Sequence, residues 1–462
     1  MTDSTTRNAD DAKSRRRAII ASYLGTTLEY YDFLLYGVAS ALVFPKIFFV
    51  SMDPLLATLS AFATFAVGYF ARPAGAIVFG HFGDIIGRRA VLVITMLMMG
   101  ISSVLIGLLP GYDQWGLAAP IALVVLRLVQ GFAIGGEWGG ATLMSMEHAK
   151  PKGRGFAVSV VASGGPSGAV LGTLVMTPFS MLPTEAFLSW GWRIPFLLSA
   201  LLVVIGLVVR SQVSESPEYE AARKARAAKP RSASEVLPVV KVFRHAWKEV
   251  LSGFIGGLAP LGFATFAAAF LLNYAVSAGH ARPNALIAMT IANFVHIFTT
   301  PLFGAMSDRL GRRPLMISGA VLGMLLIWPI FLLVEHGGFF TLVLALLLAL
   351  PLVQAMMGGT YNTWISEKFA ADIRYSGVAL TFQLASTLGA GLAPLVATSL
   401  LAASGGQDPR WVALFFGGLC LVSCITYVYS RDNANRTLAV VTGEAAPAEA
   451  PPPSGVPGQA RS

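Results

Sequence analysis

Charge is scarce in this chain. Asp, Glu, Lys and Arg make up 12% of its 462 residues, and hydrophobic residues make up 55%. A soluble domain usually carries about 25% charged residues, so this composition excludes an ordinary soluble domain and predicts a polytopic membrane protein. Cysteine is scarcer still. Cys420 and Cys424 stand four apart in the last apolar run, which excludes a disulfide framework and suits small packing residues. Enzyme signatures are missing too: there is no Gly-x-Ser-x-Gly turn, no P-loop and no His-Glu-x-x-His pair. No enzyme and no ATP-driven pump is expected. A cleavable leader is also missing: residues 1–17 are polar and end in Ser14-Arg-Arg-Arg17, with no small-residue cleavage site after a short apolar core. The first apolar segment is therefore predicted to stay as an anchor.

What is present is a series of long apolar runs. Twelve reach the roughly 20 residues a bilayer requires: 18–44, 55–80, 90–109, 117–143, 155–180, 190–210, 248–275, 284–305, 314–334, 339–365, 375–401 and 410–430. The fold class predicted is an all-α membrane protein of twelve transmembrane helices in two six-helix halves, 18–210 and 248–430. A polar tail (1–17) precedes them, and a basic connection (211–247) separates them. That connection is read either as a solvated linker or as a short surface helix capped by Ser214 or Ser216. The Ala-, Pro- and Gly-rich end, 431–462, is expected to be disordered.

The net charge of +9 would suggest nucleic acid in a soluble protein. Here 27 of the 33 basic residues fall in loops and tails on one side of the twelve spans, and four (Lys46, Arg193, Arg282 and Arg410) fall on the other. That bias places both termini in the cytoplasm, in contact with bilayer and not with nucleic acid. The remaining two, Arg72 and Arg127, lie inside spans.

Two charged turns repeat. Gly80-His-Phe-Gly-Asp84-Ile-Ile-Gly87-Arg88-Arg89 and Gly304-Ala-Met-Ser-Asp308-Arg309-Leu-Gly311-Arg312-Arg313 stand 224 residues apart. A second pair, Glu147 with Arg154 and Glu367 with Arg374, repeats at an offset of 220. Duplication at half the chain length indicates two similar halves. Anchoring to the cytoplasmic face needs the arginines, but not the aspartate or the glycines. A latch needs all three, so these residues are predicted to form a cytoplasmic gate between the halves.

Charges inside a membrane are costly and suggest function. Glu29 and Asp32 stand three apart on span 1, with Tyr36 extending the stripe, so both are expected to face a polar cavity. Two neighbouring carboxylates suit proton exchange. Span 4 carries Arg127, Gln130 and Glu137; Arg127 either binds an anionic solute or neutralises Glu29 or Asp32. The second half offers neutral groups instead: Asn273, Asn293, His296, Gln354, Asn362 and Gln383. The first half is thus expected to handle protons, and the second to hydrogen-bond the solute.

The charged turns resemble the Gly-x-x-x-Asp-Arg-x-Gly-Arg-Arg signature of the major facilitator superfamily. Ile85 departs from it where arginine is usual, and Arg309 keeps it, so the second copy matches the latch role more fully. The stretch Gly25-Thr-Thr-Leu-Glu29-Tyr-Tyr-Asp32-Phe-Leu-Leu-Tyr36, the run Arg127-x-x-Gln130-Gly131 followed by Gly135-Gly-Glu137-Trp-Gly-Gly, and Trp190-Gly-Trp-Arg193-Ile-Pro195-Phe resemble the metabolite–proton symporter family. That resemblance covers roughly 18–430. It implies uptake of a small polar solute with protons across a bacterial inner membrane by alternating access. It also implies a monomer driven by the proton gradient, with no other cofactor and no metal. A shikimate-like acid or a 2-oxoacid is the expected solute. The alternative is an osmoprotectant such as proline or betaine, but osmosensing members often carry a heptad-patterned tail and 431–462 has none. A sensor built on the same frame, or an exporter, is a further alternative.

Overall fold

In the computed structural model, residues 2–86, 88–135, 146, 153–211, 242, 244–370, 373–406 and 408–430 are described. Twelve long helices run in order: α1 Thr2–Leu42, α2 Pro54–Ile86, α3 Arg88–Leu108, then α4 Ala118–Gly135, α5 Arg154–Ser180, α6 Thr184–Val208, α7 Trp247–Ser277, α8 Arg282–Leu310, α9 Arg312–Glu335, α10 Phe339–Ser366, α11 Arg374–Ala403 and α12 Arg410–Tyr429. From α4 onward each is long and apolar enough to cross a membrane. Helices are what such runs must form, because lipid offers no partner for backbone amides and carbonyls. Outward-facing Ile101, Leu105, Leu201, Val204, Leu325 and Leu414 are exposed, as a lipid-facing surface requires.

Several helix limits differ from those expected; α6, for one, begins at Thr184, ahead of the expected 190. Helix α1 continues back through the polar residues 2–17, and α2 runs through the first charged turn to Ile86. The second copy shows how the turn is made. Helix α8 ends at Leu310, and Gly311 takes a left-handed φ of 94° before α9 begins. A side chain would be strained there, so glycine is required. Most of the 211–247 connection and all of 431–462 lie outside the described residues, as do Glu137 and Glu147 and the side chains of Asp84, Arg88 and Arg89.

The helix pairings reveal the two-fold plan. In the first half α1 packs on α5, α2 on α4, and α3 on α6; in the second, α7 packs on α11, α8 on α10, and α9 on α12. Across the halves α5 packs on α8, and α2 on α11. Each pairing recurs six helices later. Close approach of α4 to α2 rests on Gly131 and Gly135. A Cβ on Gly131 would stand 1.8 Å from the Gly68 carbonyl oxygen, and one on Gly135 would stand 2.0 Å from that of Arg72. Small residues let helix backbones touch where no hydrophobic force drives them together. Three helices of the second half widen into a π turn: Phe266–Leu271, Leu348–Gln354 and Ser386–Gly391.

Candidate functional site

A cavity lies between the halves, at mid-depth. The first half lines it with Glu29, Tyr30 and Phe33 from α1 and with Tyr69 and Arg72 from α2. The second half lines it with Asn293 and His296 from α8, Gln354 and Asn362 from α10, and Ser386 from α11. Gln354 and Ser386 sit on two of the π turns.

Arg72 is the cavity's cation. Its guanidinium carbon stands 4.1 Å from the centre of the Tyr69 ring and 4.7 Å from that of Phe33. Its Nη1 donates across the cavity to Ser386 Oγ at 3.3 Å. Its buried Nε has no partner among the described residues. Aromatic faces hold the charge without consuming its directed N–H groups, so the fork remains available to a carboxylate. On the opposite wall His296 and Gln354 lie beside each other, with a side-chain hydrogen bond between them.

Asp32, Tyr36, Arg127 and Gln130 do not line this cavity, which corrects the expectation that they and Glu29 share one wall. They form a separate cluster inside the first half. Ser199 donates to Asp32 at 2.5 Å, Gln130 to Ser103 at 2.7 Å, Arg127 to Gln130 at 3.3 Å and Tyr36 to Thr64 at 2.8 Å. Ser103 also reaches Asp32. The Arg127 guanidinium lies over Tyr36 at 4.0 Å and near Phe33 at 5.1 Å, and only 1% of the residue is exposed. The cause is helix geometry. Three residues turn a helix by about 300°, so side chains at i and i+3 diverge by roughly 60°. That is enough to send Glu29 into the cavity and Asp32 toward α3 and α6.

Asn273 is half-buried on α7, and Gln383 is buried in α11; neither lines the cavity. The sequence marks Arg72 only as a basic residue within a span. The desolvation cost that singled out Arg127 applies equally to Arg72 and would have found it.

The second charged turn joins the halves at the basic rim. Asp308 accepts from the backbone amides of Gly155 at 2.9 Å and Phe156 at 3.0 Å, at the start of α5. Arg312 holds that carboxylate at 2.7 Å and reaches Glu367 at 3.1 Å. A carboxylate at a helix N-terminus meets unsatisfied amides and the positive end of the dipole. Arg309, in contrast, is exposed, so the added arginine is not what forms the contact. Arg313 turns away to the end of α12, donating to the carbonyls of Tyr427 at 2.8 Å and Val428. Arg374 donates to the Phe369 carbonyl at 3.1 Å, and Arg154 opens α5. At the opposite rim Arg282 of α8 donates to Thr184 of α6 at 3.1 Å and lies over Phe187 at 4.7 Å.

These features define a membrane transporter of two six-helix halves around a shared cavity. The sequence model of the Major Facilitator Superfamily matches residues 18–382 and 253–454, and the chain belongs to that superfamily. Among its relatives, the shikimate transporter of Escherichia coli (strain K12) is 39% identical over 425 residues, which are 90% of this chain and 95% of that one. The inner membrane metabolite transport protein YhjE of the same organism is 38% identical, over 92% of this chain and 96% of that one. Its proline/betaine transporter is 35% identical, over 94% and 86%. The crystal structure of a D-xylose-proton symporter covers 90% of this chain and 98% of its own, with a TM-score of 0.69 at 18% identity, and shows the same fold. The protein is thus a multi-pass transporter of the inner membrane and a member of the metabolite–proton symporter group.

Proposed function

We propose that the protein takes up a small organic acid together with a proton, with its basic rim and both termini in the cytoplasm. The observation that carries this reading is Arg72: a cation lining the shared cavity, with an Nε that has no partner among the described residues, opposite the polar side chains of His296 and Gln354. The carboxylate would meet Arg72, and the rest of the solute would meet the second half. Glu29 and Asp32 would exchange the proton, with Glu29 at the cavity wall and Asp32 one layer behind it. The protein would work as a monomer, with the proton gradient as its energy source and without cofactor or nucleic acid. Asp308 and the start of α5 would hold the cytoplasmic rim shut while the carrier waits for solute.

A betaine or proline is the competing solute, and the cavity's aromatic wall is what favours it, since quaternary ammonium groups bind aromatic faces. Those of Phe33 and Tyr69, however, already lie against Arg72. A second cation there would meet like-charge repulsion, so an anion is the better fit.

The test is uptake into proteoliposomes under an imposed proton gradient. Shikimate or 2-oxoglutarate should accumulate, and a protonophore should abolish accumulation while leaving counterflow intact. Uptake that rises with osmolality and ignores carboxylate competitors would replace this reading with the osmoprotectant one. Absence of any counterflow would indicate a sensor.

A further inference from the structure

Two neighbouring side chains of α11 reach across the halves to α2. Ser386 Oγ accepts from Arg72 Nη1 at 3.3 Å, and Thr387 Oγ1 stands 3.0 Å from the Tyr69 carbonyl oxygen. Both residues are buried, and both belong to the π turn Ser386–Gly391. The last residue of that turn packs on the same helix: a Cβ on Gly391 would stand 2.7 Å from the Cβ of Tyr69. We infer that Ser386 is a positioning residue for the solute: from the second half it fixes how the Arg72 guanidinium is turned in the first, so that the Nε–Nη2 edge is the one presented to the solute's carboxylate.

The aromatic neighbours cannot supply this orientation. Tyr69 and Phe33 hold the guanidinium carbon at 4.1 and 4.7 Å, but a ring face attracts a cation whichever way the planar fork is turned. A hydrogen bond at one corner is directional and fixes that rotation. Nη1 is the corner held by Ser386. A carboxylate takes two parallel N–H groups, and with Nη1 engaged the side edge of the fork, Nε and Nη2, is the pair left for it. The buried Nε, which has no partner among the described residues, belongs to that edge. A fork already turned toward its ligand loses less freedom on binding, so orientation becomes affinity.

The turn that carries Ser386 is held from its own half. A π turn bonds five residues apart, interrupts the regular helical ladder and recurs at functional sites. Thr265 of α7 donates to the Ala390 carbonyl inside this one at 2.8 Å, and a Cβ on Gly389 would stand 2.9 Å from the Leu258 carbonyl oxygen of α7. Ser386 is therefore anchored to the second half while it orients a cation of the first. The fork is oriented only while α2 and α11 meet at cavity depth. The acid binds best to that arrangement and, by the same free energy, favours it. Solute binding thereby gains a direct hold on how the halves are placed.

This inference rests on the reading of the solute as an organic acid. The test is equilibrium binding of shikimate, 2-oxoglutarate and the uncharged methyl shikimate to the full-length protein in detergent. Ser386→Ala should bind both acids about five- to tenfold more weakly than the unaltered protein and should bind the ester alike. Ser386→Thr keeps the hydroxyl and should hold acid binding within about twofold of the unaltered protein. In an Arg72→Lys background, Ser386→Ala should change acid binding by less than about twofold, since an ammonium has no edge to orient. Initial uptake rates should show the loss chiefly in KM. Where Ser386→Ala does not fold, Ser386→Cys makes the same comparison, because a thiol is a weak acceptor. If Ser386→Ala leaves acid binding unchanged, or weakens the ester equally, the inference is overturned while the acid reading stands. If neither acid binds the unaltered protein and glycine betaine does, both fall.

Discussion

Asp308 of α8 accepts a hydrogen bond from the Gly155 amide of α5 at 2.9 Å, across the boundary between the halves. The contact is tight enough to exclude side chains. A Cβ on Gly155 would stand 2.5 Å from the Gly304 carbonyl oxygen, and one on Gly304 would stand 1.9 Å from Ser159 Oγ. Asp308→Ala should leave two helix-start amides without their acceptor and Arg312 with Glu367 alone, at a cost of about 1–3 kcal/mol to the closed rim. The expected outcome is a larger population open at the basic rim. Spin labels at the ends of α5 and α8 should report a longer mean distance.

Arg282 provides the opposite case. It joins α8 to Thr184 and Phe187 of α6 at the other rim. Arg282→Ala should shift the same equilibrium the other way, toward opening at that rim, by about 0.5–2 kcal/mol. Thiol labelling from outside the vesicle should then reach cavity positions faster than in the unaltered protein, whereas in Asp308→Ala it should be slower.

Arg72 should matter more for the solute than for folding. Arg72→Gln removes the cavity's cation and should cut acid uptake on the order of a hundredfold. Arg72→Lys keeps the charge but not the planar fork, so it should restore only part of the loss. Initial uptake rates for the two variants, with melting temperatures as a control, decide the point. Equal rates in Arg72→Gln and the unaltered protein would remove Arg72 from the site.

Gly135 should matter for folding first. Its added Cβ would fall 2.0 Å from the Arg72 carbonyl oxygen, so Gly135→Ala must part α4 from α2. A destabilisation of about 1–3 kcal/mol is expected, read as a lower melting temperature in detergent. Gly405→Ala, at a surface glycine with a φ of 81° and open space around it, should cost about 1 kcal/mol through backbone strain alone.

The fold was legible because membrane folding begins from a one-dimensional constraint. A bilayer demands about 20 apolar residues per crossing, and the run lengths therefore mark the membrane-crossing parts of the helices, though not the polar extension of α1 back to Thr2. Of the contact at the basic rim, Asp308, Arg312 and Glu367 were also legible as duplicated motifs. Their exact roles were not, since Arg309 completes the motif yet is exposed, while the backbone start of α5 supplies the partner. Backbone donors leave no signature in residue identity.

The cavity was less legible, and α1 shows why. Glu29 and Asp32 look like one stripe at a spacing of three, but Glu29 lines the cavity while Asp32 accepts a hydrogen bond from Ser199 of α6. In the second half, the π turn at Phe266–Leu271 inserts an extra residue just before Asn273 and rotates it relative to a regular helix.

The sequence by itself determined the class of this protein: twelve crossings, two related halves, a basic rim and a few intramembrane charges, each set by the energetics of lipid burial. Only the tertiary structure decided which of those charges lines the cavity between the halves. It put Arg72 in the cavity and Arg127 behind an aromatic wall because glycine-mediated packing of α4 on α2, and not the hydropathy of either helix, sets where their side chains end.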